Sequence, residues 1–286
     1  MIPEYLKPDL LKAFISSALA EDIGKADHST AATISESDTG TAQLLIKDDG
    51  VLAGAELAEL IFKFHDPNLQ VKSNLSDGDQ IHKGQVAFEV SGSIRSILTT
   101  ERLVLNSMQR MSGIATRTKR LVDLIKGTRS QILDTRKTTP NFRAMEKWAV
   151  MIGGGNNHRF SLSDLIMLKD NHIDACGGIK KAIEKTRDYL NQHQLDLRIE
   201  VETRNLNEVK EALLSNVDII LLDNMNTEQL TESVQLIAGK CKTEASGGIT
   251  EANIRQVAET GVDYISVGSL THKVKSLDMS LKIKMK

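Results

Sequence analysis

Between residues 131 and 267 six short apolar runs alternate with stretches whose apolar residues fall at helical spacing. The runs are Gln131-Ile132-Leu133-Asp134-Thr135, Leu165-Ile166-Met167-Leu168, Arg198-Ile199-Glu200-Val201-Glu202, Asp218-Ile219-Ile220-Leu221-Leu222, Lys242-Thr243-Glu244-Ala245 and Tyr264-Ile265-Ser266-Val267. Stretches 177–193, 205–215, 227–239 and 250–259 carry the helical pattern between them. Neighbouring parallel strands must be joined by a crossover of a dozen or more residues, so this rhythm predicts βα steps and a parallel sheet. The expected class is α/β, with a parallel α/β barrel that is TIM-like but incomplete.

The remainder reads differently. Pro8-Asp9 followed by Leu10, Leu11, Phe14, Ile15, Ala18 and Leu19 predicts an opening amphipathic helix. Residues 41–95 hold short apolar runs broken by Asp49-Gly50, Asp77-Gly78 and Lys83-Gly84, with a helix over 55–64, which suits a small α+β sandwich domain. A helix over 97–125, with Gly113 as a break, joins it to the barrel, and another is expected over 142–152. Residues 277–285 alternate apolar and polar, so the C-terminal segment is expected to return to the small domain as a strand. The expected domains are 1–110, together with 275–286, and 111–274.

Composition narrows the function. Lys and Arg number 36 against 38 Asp and Glu, and aromatic residues make up 3%, so the chain lacks the basic field and the stacking platforms of a nucleic-acid binder. Only Cys176 and Cys241 occur, too far apart in sequence for a metal clamp or a disulfide framework. The opening residues lack a basic cap followed by an apolar core, and no apolar run reaches the roughly 18 residues of a membrane span. A cytoplasmic protein acting on a small molecule is expected, with neither nucleic acid nor membrane as partner.

In α/β barrels chemistry sits where the strands end. At those places stand Arg136 and Lys137, Lys169 and Asp170, Glu202, Asp223 and Asn224, Ser246-Gly247-Gly248, and Gly268-Ser269. Arg136, Lys137, His158, Arg159, Lys169 and His172 concentrate positive charge within 134–172, although the formal net charge is only -2. Such a cluster suits a polyanion. The glycine pairs would let backbone N–H groups approach a phosphate, or they could be ordinary turns. Glu202 and Asp223 could grip sugar hydroxyls or Mg²⁺, or form salt bridges with Lys137 or Lys169. His158 and His172 lack a third ligand at zinc spacing, and the glycine fingerprints of dinucleotide and nucleoside triphosphate sites are missing. Gly153-Gly154-Gly155 follows a helical stretch and could simply end it.

The phrases Asp134-Thr135-Arg136-Lys137-Thr138-Thr139-Pro140, Gly153-Gly154-Gly155-Asn156-Asn157-His158-Arg159, Leu168-Lys169-Asp170-Asn171-His172, Glu200-Val201-Glu202, Leu221-Leu222-Asp223-Asn224, Ser246-Gly247-Gly248 and Gly261-Val262-Asp263-Tyr264-Ile265-Ser266-Val267-Gly268 closely resemble the quinolinate phosphoribosyltransferase family. Glu101-Arg102 and the early Glu21-Asp22-Ile23-Gly24 are similar to that family as well, and only the residue before Asn157 departs from its usual pattern. The resemblance implies transfer of phosphoribose from phosphoribosyl pyrophosphate to quinolinate with decarboxylation, Mg²⁺ accompanying the pyrophosphate and no organic cofactor. It implies that Arg136, His158, Arg159 and Lys169 hold the dicarboxylate and that Arg102 arrives from a neighbouring subunit of a homodimer or higher homo-oligomer. Thr135, Lys137, Glu202, Asp223, Ser246, Gly247, Gly248, Val267, Gly268 and Ser269 would meet the phosphoribosyl part. Lys137, Lys169, Glu202 and Asp223 would be catalytic, the two carboxylates through Mg²⁺ held by substrate and water.

Two rival readings accompany this one. A phosphoribosyltransferase of the same architecture could use another acceptor, such as the molybdenum-associated relatives of the family. The stretch 76–85 has the rhythm of a carrier domain whose turn bears a modified lysine, although the Met that commonly flanks such a lysine is missing beside Lys83.

Overall fold

The computed structural model describes residues 3–284. In chain order the elements are α1 Pro8–Ile23, α2 His28–Thr33, β1 Thr39–Ile46, β2 Gly50–Val51, α3 Ala55–His65, β3 Gln70–Ser73, β4 Gln80–Ile81, β5 Val86–Ser93 and the long α4 Ile94–Leu124. There follow β6 Gln131–Leu133, α5 Arg143–Ile152, β7 Ile166–Leu168, α6 Asp170–Cys176, α7 Ile179–His193, β8 Ile199–Thr203, α8 Leu206–Leu214 and β9 Ile219–Asp223. The chain closes with α9 Thr227–Ile237, β10 Lys242–Ser246, α10 Ile254–Glu259, β11 Tyr264–Ser266, α11 Ser269–His272 and β12 Met279–Lys284.

Two compact units result. One comprises the chain up to Lys119, Thr138–Gly154 and the chain from Leu270; the other comprises Arg120–Lys137 and Gly155–Ser269. The first draws on three stretches because α5, which interrupts the βα rhythm, belongs to it.

In the first unit Pro8 occupies the first turn of α1, where its fixed φ suits a helix and its missing N–H costs nothing. Asp27 caps α2 by accepting a hydrogen bond from the Thr30 amide at 3.0 Å. An antiparallel sheet in the order β12-β1-β5-β3 follows from strands of period 2. Along β1, Ala42, Leu44 and Ile46 point inward and are buried. Phe62 of α3 meets Phe88 of β5 edge to face, with ring centroids 5.9 Å apart. The C-terminal segment is the expected strand, pairing with β1 from Thr41↔Lys284 to Ile46↔Met279.

Helix α4 runs through Gly113 without the break that a glycine suggests. A Cβ there would strike the Lys275 carbonyl oxygen and lie 3.1 Å from its carbon, so the glycine serves close approach of another backbone. Gly153 does end α5, as the sequence suggests. Its Cβ would also lie 2.7 Å from Thr118 Cβ on α4, so it packs as well as terminates.

The second unit holds six strands in the order β6-β11-β10-β9-β8-β7, every pair parallel. First strand β6 pairs with last strand β11, while consecutive strands β6 and β7 form the two edges. This is the strand order of a barrel left open between its first two strands. The expected incomplete α/β barrel is therefore observed. Ile219, Ile220, Leu221 and Leu222 of β9 are all buried, as strands covered on both faces must be. Among the described residues no helix is long and apolar enough to cross a membrane.

A candidate active site at the carboxyl ends of the parallel strands

Because the strands of the second unit are parallel, the residues that follow them emerge at one edge of the sheet. Beyond β6 the fully buried Asp134 turns the chain. Its Oδ1 accepts the His158 amide at 2.9 Å and its Oδ2 accepts Asn157 Nδ2 at 2.6 Å. Asn156 adds a parallel bridge to Leu133, its amide donating to the Ile132 carbonyl at 2.8 Å. These bonds bring the phrase around His158 and Arg159 alongside the loop that carries Arg136 and Lys137. They also end β6 at Leu133, two residues before the apolar run stops.

Thr135 Oγ1 accepts the Lys137 amide at 3.1 Å, and Lys137 is exposed. Arg159 Nη1 donates to the Leu165 carbonyl at 3.0 Å. Its guanidinium holds its proton less firmly than usual, first because of burial and then because Arg136 places a like charge nearby, against the attraction of Glu200.

Lys169 follows β7 directly, and its amide donates to His172 Nδ1 at 3.0 Å. On neighbouring strands β8 and β9, Glu202 and Asp223 converge. The Glu202 carboxyl is raised, first by burial and then by the charge of Asp223, while Lys169 pulls it the other way. Asp223 Oδ2 accepts Asn224 Nδ2 at 2.6 Å.

After β10, Gly247 adopts φ +90°, and a Cβ there would strike the Asn224 side chain and lie 3.0 Å from its backbone nitrogen. Only glycine fits. Gly248, at φ +63°, has open space within 4 Å of where its Cβ would stand, which leaves room for a ligand. The Ser246 carbonyl accepts the Asn224 amide at 2.8 Å. After β11 the buried Val267 donates its amide to the Leu133 carbonyl at 3.0 Å, and half-buried Gly268 and Ser269 follow. Arg102 stands apart from this assembly in sequence and unit, exposed on α4 of the first unit.

The structure adds residues that the sequence reading passed over. Spacing predicts no metal-type cluster at His158, yet Glu200 and Glu244 reach its ring: Nε2 lies 3.0 Å from Glu200 Oε2 and 3.5 Å from Glu244 Oε2. The three ligand atoms lie within 4.8 Å of one another. Glu200 and Glu244 are 0% and 1% exposed. The buried Ser266 hydroxyl donates to Glu244 Oε1, whereas neither oxygen of Glu200 has a well-directed donor. Linear spacing could not reveal the trio, because its members come from a loop and two strands that are not adjacent. The signal was there in another form: a glutamate in the middle of each of two buried strands.

The ring of His158 is under two demands. Burial opposes its charge, but the two carboxylates outweigh burial and raise its proton affinity to about 10. Nδ1, however, accepts the Arg159 amide at 2.7 Å, which requires a lone pair there. Both demands are met by a ring protonated on Nε2 and a second proton held by the glutamates, and the Glu200 carboxyl is indeed raised, first by burial and also by Glu244. The retained protons belong to the cluster rather than to one residue.

Comparison with known proteins agrees with this layout. The model of the quinolinate phosphoribosyl transferase C-terminal domain matches residues 114–282, and that of the N-terminal domain matches 27–112, which includes the turn around Lys83. Quinolinate phosphoribosyltransferase [decarboxylating] 1 of Nicotiana glauca is 47% identical over 289 residues, covering 96% of this chain and 82% of that protein. A probable nicotinate-nucleotide pyrophosphorylase [carboxylating] of Bacillus subtilis is 42% identical, covering 96% of this chain and 93% of its own length. The crystal structure of NadC from Streptococcus pyogenes superposes with a TM-score of 0.91 at 42% identity, covering 98% of this chain and 99% of that one.

Proposed function

Because the chain belongs to the quinolinate phosphoribosyltransferase family, we infer that it transfers phosphoribose from phosphoribosyl pyrophosphate to the ring nitrogen of quinolinate. The products are nicotinate mononucleotide, CO₂ and pyrophosphate, on the route to NAD. The observation that supports this reading is that Arg136, Arg159 and Lys169, with Glu202 and Asp223, gather at the carboxyl ends of the parallel strands. A planar dicarboxylate calls for planar donor forks, and the paired guanidinium groups of Arg136 and Arg159 offer them. His158 belongs to the same wall. Ser246, Gly247, Gly248, Val267, Gly268 and Ser269, with Thr135 and Lys137, take the phosphoribosyl part.

Catalysis is electrostatic. As the bond from the ribose carbon to pyrophosphate breaks, positive charge grows on the sugar and negative charge on the leaving group. Glu202 and Asp223 favour the first and orient the ribose hydroxyls; Lys137 and Lys169 favour the second. Mg²⁺ suits this pair, since Glu202 is raised first by burial and then by the charge of Asp223, and a divalent cation with oxygen ligands relieves that repulsion. When bound it neutralises part of the pyrophosphate charge. Decarboxylation needs no organic cofactor: the bond from the ring to the carboxylate breaks, its electron pair is accommodated beside the quaternised nitrogen, and a proton takes the vacated position.

Arg102 completes the dicarboxylate site of a neighbouring subunit in a homodimer or larger assembly. The unpaired cysteines, Cys176 and Cys241, suit a reducing cytoplasm. The test is purified protein given phosphoribosyl pyrophosphate, Mg²⁺ and quinolinate labelled in its 2-carboxyl group. Labelled CO₂ and pyrophosphate released in equal amounts support the reading; pyrophosphate released at the same rate without quinolinate refutes it.

A further inference from the structure

Glu200 and Glu244 stand on the parallel strands β8 and β10, and both are buried. Taking a carboxylate out of water costs several kcal/mol unless donors satisfy it, and an apolar residue would fill either position more cheaply. Stability does not explain them. What they share is the Nε2 edge of His158, at 3.0 and 3.5 Å.

His158 is held on every polar side. Asp134 accepts its backbone amide at 2.9 Å, the glutamates face Nε2, and Nδ1 accepts the Arg159 amide at 2.7 Å. No ring nitrogen is left over for a substrate. The ring instead links the carboxylate floor to the backbone of Arg159, whose side chain feels the like charge of Arg136 and the opposite charge of Glu200. Like charges within reach repel one another, and the negative charge of the glutamates offsets that repulsion while the pocket is empty.

We propose that Glu200 and Glu244 are positioning residues for the dicarboxylate pocket, acting through His158 to fix Arg159. This deepens the function inferred above and rests on it for the identity of the substrate. His158 thus serves the pocket from behind rather than by offering a ring nitrogen to quinolinate.

The test is a mutant cycle of Glu200→Gln, Glu244→Gln, His158→Ala and each glutamine variant combined with His158→Ala, with steady-state constants for both substrates. Each glutamine variant is expected to raise the KM for quinolinate about tenfold or more, the scale of a displaced charged hydrogen-bond donor. The KM for phosphoribosyl pyrophosphate should stay within about twofold, and adding either glutamine change to His158→Ala should change little more. Effects that multiply in the double variants, or that raise both KM values alike, overturn the proposal. Should Glu200→Gln fail to melt cooperatively, Ser266→Ala tests the same network by removing the donor to Glu244, with the same KM split expected.

A second readout is independent of turnover. Nitrogen NMR of histidine-labelled wild type is expected to show His158 protonated at Nε2 and bare at Nδ1, with that pattern disturbed in Glu200→Gln. A proton on Nδ1 overturns the proposal whatever the enzyme does. A wild type with the expected ring but no turnover of quinolinate leaves the positioning network standing and removes only the assigned reaction.

Discussion

Two fully buried glutamates, one in each unit, are treated in opposite ways by their surroundings. Glu146 on α5 accepts hydrogen bonds from Arg110 Nε at 2.8 Å, the Thr139 amide at 3.1 Å and Thr139 Oγ1 at 2.8 Å, and pairs in charge with Arg110 Nη2 at 2.7 Å. Three donors and an ion pair close its field. Glu200 on β8 has no well-directed donor at either oxygen, only the edge of His158 and the charge of Arg159. A carboxylate satisfied by donors holds structure together, whereas one left under-satisfied keeps its field to act on neighbouring cations. Burial alone separates neither case; the donor count does.

The largest effect should fall on the satisfied residue. Glu146→Ala leaves Arg110 and Thr139 without their acceptor, and breaking such a pair should cost about 3–5 kcal/mol in a urea titration. A loss under about 1 kcal/mol would erase the contrast. Asp134→Asn comes next: an amide can no longer accept at both oxygens from the His158 amide and from Asn157, so roughly 2 kcal/mol should be lost. That variant should also weaken quinolinate binding, because Asp134 orients His158.

The cluster around Glu200 should reveal itself through pH. Its retained proton has an affinity near 10, above the ordinary histidine value of 6.5. The stability it contributes is therefore complete below pH 6.5 and is lost as pH rises through about 10. Thermal midpoints of wild type should fall over this window more than those of a Glu200→Gln, Glu244→Gln double variant; parallel curves would contradict the assignment. At neutral pH Glu200→Gln alone should cost clearly less than Glu146→Ala, since a carboxyl that shares a retained proton is replaced by a neutral group of the same shape. A large loss of stability would place Glu200 with Glu146. The smallest effect belongs to an exposed pair: Glu89 of β5 meets Lys284 of β12 at 3.5 Å in the antiparallel sheet, and Glu89→Gln should leave the melting midpoint where it is.

The same contrast explains what could be read from the sequence. The six βα steps, the returning C-terminal strand and the polar residues after each strand were legible, because strand and helix periods and the barrel rule depend on local pattern. So Lys169, Glu202, Asp223 and Gly247 could be singled out before any coordinates. Glu200 and Glu244 were not, because a glutamate within a buried strand signals an unusual position without naming its partner. Their meaning arises only when β8 and β10 bring them to one histidine from a distant loop. Helix α6, starting one residue after Lys169, was hidden because its seven residues are too few for a period. Gly113 misled for the opposite reason: its local signal is a helix break, but the tertiary structure uses it to seat the backbone of Lys275.

The central claim is a cationic pocket matched to two carboxylates, and it is tested most directly by comparing kcat/KM for quinolinate and for nicotinate in one preparation. Leaving a desolvated arginine without its second partner costs on the order of 1–3 kcal/mol or more, so quinolinate should be favoured by about fivefold to over a hundredfold. Equal efficiency for the two acids would contradict the account.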